Sequence, residues 1–161
     1  MEQNPYAPPK APVSDVATGD GNPIASEVPL YSPNQVGLAA FLASAFAGAW
    51  LMAANFRAIG QPLKARNALW AGVAATILTV ALGFILPDKF PNLVLPLGVT
   101  FAIRAMAERH FTAILKEHLD AGGEQRSWWR VVGISLLIVT VLFGVAIGGV
   151  FGYYLIVGVP S

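Results

Sequence analysis

Residues 131–161 run without one charged side chain. The core of this stretch reads GISLLIVTVLFGVAIGGVFGYYLIVGV. As a helix, residues 131–157 would be about 40 Å long, against a hydrocarbon slab of about 30 Å. A domain of 161 residues has too little interior to hide such a helix on all sides, so its expected solvent is lipid. Composition agrees: 55% of residues are hydrophobic and 12% charged, about half the usual charged share. The net charge of +1 gives nucleic-acid binding no electrostatic basis. The absence of cysteine excludes disulfides, thiolate metal sites and cysteine nucleophiles.

The first 31 residues differ from the rest. Seven of the twelve prolines lie at positions 5, 8, 9, 12, 23, 29 and 33. Proline fixes its own φ and lacks a backbone donor, so a disordered Pro-rich tail is expected over residues 1–31. It has neither the basic start nor the apolar core of a signal peptide. Within it Asn4, Pro5, Tyr6, Pro8 and Pro9 form a possible docking motif, since an extended Pro-rich segment loses little entropy in an aromatic groove.

Asn4-Pro5-Tyr6-Ala7-Pro8-Pro9, a polar leader and several apolar spans follow one another here. This arrangement resembles the start of small, mostly uncharacterised bacterial multi-pass inner-membrane proteins. The resemblance covers six residues; it implies a bacterial cytoplasmic membrane and no activity.

Residues 32–161 are expected to form one all-α membrane domain, a bundle of four transmembrane helices with spans at about 34–56, 67–86, 91–107 and 130–157. The first has a clear start: Ser32 as N-cap, Pro33 at N1 and Gln35 at N3 make a capping box, with Tyr31 and Val36 as the staple over it. Asn34 to Phe56 is charge-free and long enough to span. Its small residues repeat every four positions, Ala39, Ala43 and Ala47 beside Ala40, Ser44 and Gly48. Small residues allow close backbone approach, so this stripe is a packing face, within the monomer or against another protein. Thr76 and Thr79 of the second span are expected to bond back to their own helix.

Pro91, Pro96 and Gly98 make the third span the weakest, and Arg104 ends its charge-free stretch. Arg104 can snorkel to the headgroups or face a polar cavity. The helix is expected to continue as an amphipathic extension through Ala121, with Phe111, Ile114, Leu115 and Leu119 on one side. In the fourth span Gly144, Gly148 and Gly152 repeat every four residues, a doubled motif for close helix crossing within or between chains. The alanine face of the first span is its expected partner.

Anchors frame the spans: Arg57, Lys64 and Arg66 in the first loop, Arg104 in the third span, Trp128, Trp129 and Arg130 before the fourth, and Tyr153 and Tyr154 near its end. Four spans put the first and third loops on one side, with three and five basic residues, against Lys10 and Lys89 elsewhere. That count places both termini outside.

His110 and Glu117 share a helix face, but their spacing is too open for a metal site. With no serine elbow, phosphate loop or pair of intramembrane acids, neither an enzyme nor a bound cofactor or metal is expected. Beyond the lipid bilayer itself, the expected partner is another membrane protein or a second copy. The readings are a non-enzymatic interaction, accessory or protective subunit and, as alternative, a subunit of an oligomeric channel or small-solute transporter.

Overall fold

The computed structural model describes residues 28–87, 89, 91 and 93–157, and these are helical throughout apart from their connections. Residues 1–27 of the expected Pro-rich tail, with its Asn4–Pro9 motif, and part of the turn after Pro87 lie outside the described residues. Residues 28–31, expected to belong to that disordered tail, are instead ordered, with Leu30 and Tyr31 buried by backbone pairing to residues 124–126 and to Asn55. Five helices follow in order: α1 (Pro33–Leu42), α2 (Ala45–Ala58), α3 (Pro62–Ile85), α4 (Val94–Asp120) and α5 (Trp128–Val157). Two of them, α3 and α5, are long and apolar enough to cross a membrane, and little of either is buried within the chain.

The first expected span is not one helix. Residues 34–56 fold into α1 and α2, separated by a break at Ala43 and an extended Ser44. At about 15 and 21 Å, neither crosses a slab of about 30 Å. The pair is a hairpin. At its open end Tyr31, just ahead of α1, meets Asn55 in the last turn of α2. Nearer its tip a Cβ placed on Gly48 would stand 3.0 Å from the Ala40 side chain and 3.1 Å from the Val36 carbonyl oxygen. The small-residue stripe is the physical reason. Ala39, Ala40, Ala47 and Gly48 are buried because the two halves of the stripe face each other across the hairpin.

Local chemistry sets the ends. The capping box forms as expected: Ser32 N–H donates to the Gln35 side chain at 2.9 Å, and Gln35 N–H donates to Ser32 Oγ at 3.3 Å. Tyr31 and Val36 are both buried beside it. α2 and α4 close by the same device. Gly60 N–H reaches Arg57 O and Gln61 N–H reaches Phe56 O; Gly122 N–H reaches Leu119 O and Gly123 N–H reaches His118 O. Gly60 (φ 72°) and Gly122 (φ 83°) supply the left-handed residue that this closure needs. α3 starts at Pro62 and stops at Ile85, two residues before Pro87. In α4 Pro96 falls in the first turn, where its missing N–H costs nothing, so the helix runs unbroken from Val94 to Asp120 and includes the expected amphipathic extension.

The hairpin is the centre of the molecule. α3 packs along α2, α4 and α5 pack along α1, and α3 and α4 barely touch each other. Val36, Leu51, Phe56, Ile103, Phe111, Val131 and Ile138 form the core around it.

Candidate functional site

Two regions of the described structure depart from plain packing, a polar clasp at one end and a bare helix face at the other. The clasp is built from three connections. Leu30 N–H donates to Glu124 O at 3.2 Å, and Arg126 N–H donates to Leu30 O at 2.9 Å, pairing Leu30 with Gln125 as a parallel bridge. Arg126 Nε donates to Pro29 O at 2.8 Å, and its guanidinium lies 5.0 Å from the Tyr31 ring centre. Gln35 Nε2 donates to Arg126 O at 2.6 Å, so one glutamine both caps α1 and holds the α4–α5 loop. Beneath them Asn55, 1% exposed, exchanges two hydrogen bonds with the Tyr31 backbone, each 2.8 Å. His118 is buried against Glu124 O, with Nδ1 unpartnered, and its ring fills the space where a Cβ on Gly123 would stand.

Sequence reading picks out Gln35 only as a cap, counts Arg126 only among the basic residues of the third loop and passes over Asn55. It expects His118 to be a solvated surface residue, whereas its ring is buried against the turn after α4. A signal for Asn55 is present: an amide at the far end of a charge-free apolar run must find internal partners. Nothing local tells Arg126 that Pro29 will be its acceptor, 97 positions away.

Arg57, Lys64, Arg66, Trp128, Trp129 and Arg130 gather at the clasp end, in the last turn of α2 and the first turns of α3 and α5. Tyr153 and Tyr154 sit at the opposite end of α5, exposed, with their rings edge to face at 5.9 Å. Arg104 lies close to Gly37 and pairs with Glu108 at 2.9 Å, both side chains nearly half exposed.

The hairpin tip carries hydroxyls. Phe46 N–H, an orphan donor at the start of α2, donates to Thr76 Oγ1 at 3.0 Å. Thr76 and Thr79 also bond back to Gly72 O and Ala75 O, as expected. Ser44 Oγ is buried with no partner. Ser44, Thr76 and Thr79 line a hollow of about 220 Å³ with Pro96 and Val99.

The α5 glycines lie elsewhere than expected. Among the described residues no atom outside their own helix turn stands within 4 Å of a Cβ placed on Gly144, Gly148 or Gly152. The alanine face of α1 and α2 is not their partner: Gly48 of that face stands against Ala40 across the hairpin and against Ile103 of α4. Close approaches between helices lie instead at Gly72, where a Cβ would run into the Ala49 side chain and stand 3.2 Å from Phe46 Cα, and at Gly48, where a Cβ would stand 2.7 Å from Ile103 Cγ2. Among the described residues no group of three histidine or acidic side chains converges on a metal position. Comparison of the chain with protein-family models, with curated proteins and with solved structures finds no match.

Proposed function

We propose that this chain is an integral protein of the bacterial inner membrane that works as a non-enzymatic interaction, accessory or protective subunit. One observation carries the reading: the far half of α5, from Phe143 onward, is bare. Phe143, Val145, Ile147, Phe151 and Leu155 are all exposed, and Gly144, Gly148 and Gly152 leave an open track between them. Lipid tails can cover the large side chains. A glycine track of this kind fits a partner helix that comes closer than a lipid packs.

The hairpin also changes the topology that the charges imply. Residues 28–31, the α2–α3 connection and the α4–α5 loop share one end, so the hairpin enters and leaves on the same side. Arg57, Lys64, Arg66, Arg109, Lys116, Arg126 and Arg130 belong to that end, and Lys89 to the other. The charge bias then supports a cytoplasmic clasp, with α3, α4 and α5 running between the two faces and α5 ending outside. The both-outside arrangement needs residues 34–56 to cross once, which a hairpin does not do.

A second reading, a subunit of an oligomeric channel or small-solute transporter, draws on the tip hollow. A broken helix with an unpartnered hydroxyl such as Ser44 Oγ at membrane depth is tolerated where it lines a cavity. Purification of the full chain in mild detergent discriminates the two. A defined complex, with another membrane protein or a second copy, that Gly148→Leu dissolves is the expected result. A lone monomer that carries solute across liposomes overturns it.

A further inference from the structure

The headgroup end of the molecule has an opening that the clasp does not use. α3 and α4 both flank the hairpin and leave a hollow of about 260 Å³ between them, above α2. Its rim carries Lys64 and Asn67 from α3 and His110 from α4 and, among the described residues, no carboxylate. Its walls are Met52, Phe56 and Met106. The His110 ring stands edge-on to Phe56 at 5.7 Å, which fixes its place on the rim. α3 begins one turn away, with no acidic residue in its first turn, so the positive end of its dipole adds to the Lys64 charge.

These features sort the possible occupants. A cation, an amide and an imidazole on one rim fit a phosphate-bearing anion. The thioether and phenyl walls below fit hydrocarbon, and methionine adapts to irregular chains. The hollow lies between two helices that scarcely meet, near the entrance of α3 that Lys64 and Trp70 mark. The neighbouring cation, Arg104, is already paired with Glu108, whereas no acidic residue is among the described residues that line the hollow with Lys64.

We propose that the hollow between α3 and α4 binds an anionic glycerophospholipid, its phosphate on Lys64, Asn67 and His110 and an acyl chain against Met52 and Met106. This rests on the membrane reading above. It goes beyond general solvation by lipid, because it assigns a headgroup class to one place.

The test uses the full chain in neutral detergent, first checked for resistance of its membranes to alkaline carbonate. Equal parts of phosphatidylcholine and phosphatidylglycerol are added, and retained lipid is read by native mass spectrometry. Wild-type protein is expected to retain phosphatidylglycerol about fivefold over phosphatidylcholine, the size of one lysine near an anionic headgroup. Lys64→Gln is expected to bring the two lipids to parity, while Lys64→Arg and Lys116→Gln, at a lysine that does not line the hollow, keep the preference. Equal retention by wild type, or an unchanged preference in Lys64→Gln, overturns the proposal. Inorganic phosphate that strips the lipid from the protein overturns it in favour of a soluble phosphate. Release of wild type by carbonate overturns the membrane reading as well, so the two failures are told apart.

Discussion

Asn55 and Tyr31, 24 positions apart, close a two-bond ring. The Asn55 carboxamide donates to the Tyr31 carbonyl oxygen and accepts from the Tyr31 N–H, each at 2.8 Å and out of contact with water. This ring ties the open end of the hairpin. An amide is the one side chain that offers a donor and an acceptor side by side on a single planar group.

Replacing Asn55 by leucine keeps the volume and removes both bonds. It strands a buried N–H and a buried carbonyl, each at a cost of about 1–3 kcal/mol. Thermal unfolding in detergent should drop well below wild type, with protease access to residues 28–31 rising at the same time. An unchanged melting curve would show that the ring is not what holds the hairpin shut.

The glycines separate in the same assay. Gly72→Leu drives a side chain into Ala49 and the Phe46 backbone, and overpacking of this kind costs about 1–3 kcal/mol. Gly148→Leu and Gly149→Leu enter open space, so the stability of the isolated chain should not change in either. They should part in association: Gly148→Leu blocks the track with Gly144 and Gly152, and Gly149→Leu points about 100° away from it. A loss of monomer stability in Gly148→Leu contradicts the open face. A disulfide formed within one chain between cysteines at Ala43 and Gly148 contradicts the hairpin packing.

Cysteines at Val28, Gln125 and Lys89 read the topology. In intact cells with a permeabilised outer membrane, an impermeant thiol reagent should label Lys89→Cys and spare Val28→Cys and Gln125→Cys. Val28 and Gln125 must behave alike, because Leu30 and Gln125 are bridged. Labelling of Val28→Cys together with Lys89→Cys would sink the re-entrant arrangement.

Arg104 is expected to be replaceable. Its pair with Glu108 is nearly half exposed, and such solvent-screened pairs contribute about 0–1 kcal/mol. Arg104→Lys keeps a long stem and a charge, so protein abundance on immunoblots should stay near wild type. Loss of complex formation at normal abundance would give the guanidinium a recognition role instead.

Much of the local structure was legible because it depends on neighbours in sequence. Ser32, Pro33 and Gln35 write a helix start that only three positions are needed to read. Gly60 and Gly122 stop their helices, Thr76 and Thr79 turn back on their own carbonyls, and the uncharged run after Val131 demands an apolar surrounding whatever the rest does.

The hairpin was decided by tertiary structure alone. Residues 34–56 hold neither a charge nor, after Gly48, a glycine or proline, and Ala43-Ser44 carries no breaker signal. The sequence determined that Ala39, Ala40, Ala47 and Gly48 would seek a close neighbour; it left open whether that neighbour was a distant helix or the other half of the same run. Folding back brings the stripe against itself and lets Thr76 take the Phe46 N–H exposed at the break. It also sets Asn55 beside Tyr31, where the amide satisfies two backbone groups at once. Those partners stand 30 and 24 positions away along the chain, so the break is stabilised by groups that no local pattern contains.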